Sequence, residues 1–481
     1  MNFILFPNQL FELKYIPKKY RGADFYLIEH EKFYGITDKM NFNKKKLLLH
    51  KASCLAYIES MKKKLNIKYL PSYPSIKNST ILFFDSIDKY LNDEIISTYK
   101  KDTNEICMLE SPNFLTGRID LEKYYKKNKK SNKFIHSSFY KFQLKLHGIA
   151  YITKSFDTEN RSSIGQDLKI PQLPKKNNNT YVKKAITFVK NKFNSNYGNT
   201  DNFYLPTTHQ EAKKSFNLFL KNKADSFAQY QDAIVPEEPF LFHSVISSAL
   251  NIGLINPDYI ITAITKAYKA KKLGIKDYEA FIRQVIGWRE YQRFIYIFLA
   301  TEIKSKNHFN NSTKLTDKWY NGTLGIAPVD DAIKIAFDYG YLHHIIRLMV
   351  MCNFMNLCQI HPDEVYKWMM EFSTDSYEWV MIGNVYSMGM WSDGGMTMRK
   401  PYISSANYIQ NMAGNRYEKG EWQNIWHALY YNFLIKNRKK LQKTIYTRNL
   451  SYVDKMSAKE IQNIKEISDL FIKKTTKKGR I

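Results

Sequence analysis

From 341 to 358 the chain reads YLHHIIRLMVMCNFMNLC, with apolar side chains on nearly every face, which marks a helix buried inside a large domain rather than lying on its surface. Two polar residues stand side by side within it, His343 and His344, and Arg347 follows one turn after the first. A buried imidazole without hydrogen bonds costs about 1–3 kcal/mol, so the pair must face a partner, a ligand or a wet cavity. A satisfied structural histidine is the ordinary reading of either residue alone; the adjacent pair, with a guanidinium beside it, points to a site.

A chain of 481 residues exceeds one comfortable core, so two or three domains are expected. Lys and Arg number 73 against 45 Asp and Glu, a net charge of +28. Such a surplus is typical of proteins that meet a polyanion, and nucleic acid is the first candidate. An AT-biased genome accounts for the Lys and Asn runs (KKNKK, KKNNN) but not for the lack of compensating acids. No stretch of 18 apolar residues occurs and the start MNFILFPNQLF has no basic leader region, so the expectation is a soluble, cytoplasmic monomer with no membrane partner. Cys54, Cys107, Cys352 and Cys358 are too few for a disulfide framework and are read as packed thiols.

The N-terminal segment alternates NFILF, ADFYLIE, a helical KKLLLHKASCLAYIESMKKKL, then TILFFDSIDKYLNDEI and EICMLESPNFL, the signature of a parallel sheet covered by helices. Residues 1–130 are expected to form a Rossmann-like α/β domain. It lacks GxGxxG after the first strand, which argues against a dinucleotide in the first turn, but small ligands can still sit outside the strand ends. Residues 131–207 turn basic, Asn-rich and Pro-interrupted, a connecting region helical at FIHSSFYKFQLKLHGIA. From 208 to 481 helical spacing dominates, giving a large all-α domain.

Within that domain FHSVISSALNIGLINP places Ser244 and Ser247 before an Asn251-x-Gly253 step, where small polar groups can donate to phosphate oxygens, although an ordinary capped helix looks alike. GWREYQRF sets Arg289 and Arg293 on one helical face beside Trp288 and Tyr291, as phosphate recognition or a surface ion-pair face would. MWSDGG is a turn tipped by Asp393. Trp368, Trp379, Trp391, Trp422 and Trp426 fall within about sixty residues; aromatic cores explain most such clusters, and electron relays to a redox cofactor would need them too.

FYKFQ, SFDTENR, YQDA, LFHSVISSALNIGLINP, GWREYQR, YLHHIIRLMVMCNF, YEWVMIGNVYSM, DGG and KPYISSANYI occur in an order that resembles the bacterial cryptochrome and (6-4) photolyase group of photolyase-like flavoproteins, nearly end to end. The resemblance implies an α/β antenna domain and an all-α domain holding FAD, with His243, Ser244, Ser247, Asn251, Arg289, Asp393 and Asn407 as flavin-pocket residues. Trp368 matches the tryptophan nearest the flavin, and Tyr320 falls where the branch has its outer tryptophan. His343 and His344 match the histidine pair of (6-4) photolyases, His344 as proton donor and His343 as its orienting neighbour, with Tyr402 and Arg161 lining the lesion pocket. Asp157 and Asp232 match acidic residues that hold a divalent cation such as Mg. Glu29 matches the carboxylate for a 6,7-dimethyl-8-ribityllumazine antenna. The function implied is light-driven repair of UV-damaged DNA, a (6-4) photolyase, with a cryptochrome-type photoreceptor as the alternative. Two departures stand out. At the four iron–sulfur ligand positions of the branch this chain has Pro328, Arg416, Lys419 and Asn424, none of which can replace a thiolate, so the cluster is expected to be absent. Met381 stands where some relatives carry an acidic side chain near the flavin edge.

Overall fold

The first hundred residues satisfy the alternation of apolar runs and helices with a five-stranded, wholly parallel sheet. In the computed structural model, which describes all residues except 103, 157–161, 166–167, 443 and 479–481, the strands are β1 (Asn2–Leu5), β2 (Asp24–Ile28), β3 (Asn66–Leu70), β4 (Thr80–Phe84) and β5 (Glu105–Leu109), in the order β3-β2-β1-β4-β5. Leu5 pairs with Leu27 and Phe3 with Leu82. Both faces of β1 are covered, so its residues read as one apolar run instead of alternating. Helix α1 (Lys44–Met61) and helix α2 (Lys89–Lys100) make the crossovers. The strand order reverses between β1 and β4, so a crevice opens there, outside the carboxyl ends.

The connecting region contains more helix than its composition suggested. Helix α3 (Arg118–Asn128) precedes it, and within it, besides α4 (His136–Leu146), Thr180–Lys192 forms a helix, α5, capped by the Asn179 side chain on the Val182 N–H at 2.9 Å. Val182, Ala185 and Val189 are its buried residues, and Phe188 at its edge meets Tyr34 at 5.8 Å.

The C-terminal half is helical with one exception. Thr313–Leu315 (β6) pairs antiparallel with Thr476–Lys478 (β7), which the polar sequence TKK gave no reason to expect. Three π-helical stretches, Arg283–Arg289, Ile346–Cys352 and Ile382–Gly389, fall in GWREYQR, in the histidine helix and in YEWVMIGNVYSM. Such turns concentrate at functional sites. They pack too closely for side chains at the crossings: a Cβ on Gly389 would lie 2.6 Å from Cys352 Sγ, and one on Gly383 would lie 1.8 Å from Gln292 Oε1. The histidine segment itself differs from expectation, since regular helix begins only at His344 and His343 sits in the irregular stretch before it.

The halves share one continuous buried apolar cluster. Arg293, 1% exposed, fastens them by donating to Thr116 O at 2.6 Å and Glu110 Oε2 at 2.9 Å, with Asp85 3.8 Å away. It is a clamp between the sheet and the helices, not a surface cation.

Candidate active site

Three imidazoles converge where the loop 240–246 meets the start of the histidine helix. The loop is strained, with Leu241 at φ 40° and Val245 at φ 53°, a region that β-branched residues avoid. Between them His243 stacks on His343, with centroids 4.7 Å apart and planes at 13°, and meets His344 edge-on at 5.7 Å. His343 is 1% exposed and, among the described residues, neither of its ring nitrogens has a hydrogen-bond partner; His243 Nε2 also lacks one. Burial, then the neighbouring His344 and Arg347, push the His343 pKa down to about 3, and burial with His343 and His344 holds His243 well below its ordinary value. Both rings are therefore neutral at physiological pH and present lone pairs. His344 is different: its side chain is 43% exposed and its Nε2 lies 3.0 Å from Asp232 Oδ1. The cluster thus joins a dry, neutral pair to a solvent-facing imidazole already held by a carboxylate.

A second network adjoins the first through Arg347, which donates to Leu342 O at 2.6 Å and pairs with Asp375 Oδ1 at 2.9 Å. The Ser247 hydroxyl donates to Asp375 Oδ2 at 2.6 Å and Asn251 Nδ2 to the Asp375 carbonyl at 2.8 Å, while Ser373 donates to the same carboxylate. Against the opposing effect of burial, Arg347 and the two serines hold the Asp375 carboxyl below its usual value. Asn251 Oδ1 in turn accepts from Arg289, whose guanidinium lies over Phe114 and Trp379 at 4.8 and 4.9 Å. Burial lowers the Arg289 pKa to about 9, and among the described residues it makes no ion pair. A desolvated cation held only by amide and carbonyl oxygens suits an incoming anion. Ser247, Asn251 and Arg289 thus share one hydrogen-bonded network through Asp375. Asp375 was overlooked. Its signal lay in the polar run Ser373–Ser376 between two apolar helices, nearly all of it buried.

The other candidate residues scatter around this centre. Ser244 is half-buried in the strained loop. Asp393 is buried in its turn, accepting from Gly395 N at 2.9 Å and Thr397 Oγ1 at 2.6 Å, and burial raises its pKa. Asn407 is exposed on the helix Ala406–Met412, outside the buried network. Tyr402 is half-buried, with the Lys400 ammonium 5.7 Å from its ring centroid. Asp157 and Arg161 lie outside the described residues. Asp232, the companion of Asp157, is engaged by His344.

Trp368 is fully buried, its indole N–H donating to Trp319 O at 2.9 Å. It reaches Tyr320 through Phe337, whose ring lies 5.9 Å from each, and Tyr197 stacks on Tyr320 at 4.9 Å. The Tyr320 hydroxyl donates to Glu371 Oε2 at 3.1 Å, and burial raises the Glu371 pKa. Of the residues at the iron–sulfur positions, Pro328 is buried at the start of the helix Ala327–Tyr339, Arg416 donates to the Gly165 carbonyl at 3.1 Å, and Lys419 and Asn424 are exposed. Tyr417 ties this region to that helix through Asp331 at 2.8 Å, and Trp422 and Trp426 pack edge to face at 6.1 Å. All four cysteines are free thiols, three of them buried.

In the α/β half Glu29 is held by Lys51, whose ammonium lies 2.8 Å from both carboxylate oxygens. The small cavity at the strand ends, of about 30 Å³, is not lined by Glu29 but by Asn8, Lys32, Lys46, Ser86 and Asp88, with Tyr377 and Trp379 from the helical half. It occupies the reversal between β1 and β4. Among the described residues no helix is long and apolar enough to cross a membrane.

Residues 3–205 match a family model described as deoxyribodipyrimidine photo-lyase-related protein. A (6-4) photolyase of Agrobacterium fabrum is 34% identical over 296 residues, 60% of this chain and 58% of that protein, so the chain spans little more than half of the relative's length. An uncharacterized protein of Acanthamoeba polyphaga mimivirus is 56% identical over 94 residues, 20% of this chain and 76% of that protein. A bacterial class III photolyase from Agrobacterium tumefaciens shares the fold with a TM-score of 0.58, at 14% identity and covering 98% of both chains.

Proposed function

Because the chain belongs to the photolyase/cryptochrome superfamily, on its bacterial (6-4) photolyase-like branch, we propose that it is a light-dependent DNA-repair flavoprotein acting on (6-4) pyrimidine photoproducts. The observation that carries this reading is the meeting of two dry imidazoles, both nitrogens of His343 and Nε2 of His243 being unpartnered among the described residues, with the solvent-facing His344–Asp232 pair. Unpartnered buried nitrogens are costly, and a guest with polar edges would satisfy them.

Family membership implies FAD, and the residues fit it. Arg289 is a partly buried cation that makes no ion pair among the described residues, Ser392 carries a buried hydroxyl without a partner among the described residues, and Ser247 and Asn251 offer small polar groups in one network with Arg289. These residues would hold the cofactor, which supplies an electron on illumination of its reduced form. The chain's own part is positional and acid–base. His344 delivers a proton to the lesion's oxygen and Asp232 orients it and balances its charge. His343, neutral, accepts a hydrogen bond and fixes the guest. Arg347, locked by Asp375, sets the start of the histidine helix. The lysine-rich surface binds the DNA backbone, and the damaged nucleotide leaves the stack at a cost of a few kcal/mol. Tyr320 is a harder one-electron donor than tryptophan, but its hydroxyl proton can pass to Glu371 as the electron leaves through Phe337 and Trp368. A lumazine antenna at Glu29 would have to displace Lys51, and the cavity at the β1/β4 reversal is too small to take it. A Mg ion would need Asp232 with Asp157.

The test is to illuminate the reduced protein with oligonucleotides carrying (6-4) or cyclobutane lesions. Repair of the (6-4) lesion, abolished in His344→Ala at unchanged flavin content, is the expected result. Full turnover by that variant removes the proton-donor role, and intact flavin photoreduction without repair of either lesion replaces the enzyme with a photoreceptor.

A further inference from the structure

We propose that His243, His343 and His344 form a binding site for a single borderline divalent transition-metal ion of the zinc type, with Asp232 as the carboxylate behind it. Each ring offers a nitrogen, and the three lie within 4.8 Å of one another. Three imidazoles with a fourth position open is the donor set of many zinc sites, with metal–nitrogen distances of about 2.0–2.1 Å, which places the nitrogens about 3.3 Å apart. Closing from 4.8 Å to that spacing needs movements of about an ångström and a turn of His243 or His343 out of their 13° stack, because parallel rings cannot aim their lone pairs at one point. The residues can supply them, because His243 stands on a loop and His343 just before its helix rather than within it.

Two independent features favour an ion there. Both His343 nitrogens and His243 Nε2 are buried without hydrogen bonds among the described residues, so each ring has a lone pair unclaimed. Asp232 accepts from His344 Nε2 at 3.0 Å, which fixes that nitrogen as the N–H and leaves Nδ1 as the ligand, the carboxylate–histidine–metal relation common behind bound zinc. The open position lies on the His344 side, where the ring is 43% exposed and an ion can enter. The nearby cations do not block it: Arg347 is neutralised by Asp375, and Lys223 is turned to the Leu241 carbonyl at 2.9 Å. Imidazole donors select zinc, copper, nickel or cobalt over magnesium. This site is thus separate in chemistry from any carboxylate-held Mg. The assignment stands on the geometry alone. One consequence rests on the repair reading: an ion on these nitrogens occupies the lone pairs and keeps His344 from taking up the second proton it would give the lesion, so zinc would silence repair.

Titration of the purified full-length protein in the dark with Zn²⁺, followed by calorimetry, and with Co²⁺, followed by its visible d–d absorption, tests the site without reference to repair. One ion per chain should bind, with a tetrahedral cobalt spectrum and no competition from excess Mg²⁺. His344→Ala, at an exposed position, should weaken binding at least 100-fold, and Asp232→Asn about 10-fold or more. His243→Gln serves as a check on the buried ligand, with circular dichroism confirming the fold. No binding by the parent protein, an octahedral cobalt spectrum, or equal affinity in His344→Ala would overturn the proposal. Zinc binding with intact repair would leave the site standing and refute only its effect on the reaction.

Discussion

Acidification from pH 7 to pH 5 should destabilise the protein by about 2–4 kcal/mol, well before the surface carboxylates titrate. Burial and Lys46 push His50 down to about 3, and His343 lies at about 3 as well, against an unfolded value of 6.5. Between those values the unfolded chain binds a proton that the folded chain does not, so stability rises with pH across this window and is lost as pH falls through 6.5 toward 3. For each group the change between pH 7 and pH 5 is about 2 kcal/mol, giving about 4 for the pair. His243 adds to it in the same direction. Asp88 opposes it, because burial raises its carboxyl to about 6, so it gains its proton on acidification while folded. That gain is about 1 kcal/mol. Asp277, also raised to about 6 but less enclosed, opposes it by less. The histidines win. Urea unfolding at pH 7, 6 and 5 reads the difference, and His343→Gln should shrink the gap between pH 7 and pH 5 by about 2 kcal/mol whatever it does to absolute stability. A parent protein equally stable at both pH values, or an unchanged gap in the variant, would refute the burial argument.

Other outcomes follow from the same geometry. Glu371→Gln should slow flavin photoreduction several-fold by removing the acceptor for the Tyr320 proton, and Tyr320→Phe should slow it further, measured by absorbance under blue light with an external reductant; equal rates would break the link through Phe337. Gly389→Ala should cost about 1–3 kcal/mol in unfolding free energy, since the added Cβ meets Cys352 Sγ at 2.6 Å in a closely packed crossing. If five phosphates are neutralised, affinity for damaged DNA should fall about 500-fold between 50 and 200 mM salt; a flat salt response would remove the role assigned to the net charge.

The sheet half was legible because strands covered on both faces must be apolar throughout, and β1 and β4 are. Helix α5 was not, since Val182, Ala185 and Val189 are thinly spread among lysines and the asparagine-rich surroundings suggested a linker. The pairing of β6 with β7 joins segments some 160 residues apart and has no local signature. At the site, His343 and His344 announced themselves as polar residues in an apolar run, whereas His243, a hundred residues earlier, gained meaning only through motif order. Arg347 and Asp375 show the same limit. A buried ion pair between residues 28 apart leaves no periodic trace, and Asp375 stood in a serine- and threonine-rich run that reads as a turn.

The pairing of β7 with β6 reaches further than its few residues suggest. The carbonyl just ahead of β7, that of Thr475, accepts the Trp319 indole N–H at 2.9 Å, and the Trp319 carbonyl accepts that of Trp368. The segment at Thr475 is thereby wired to the posture of two fully enclosed tryptophans, so a fusion or protease nick near that residue would be felt in the buried indoles rather than as a blemish on the surface.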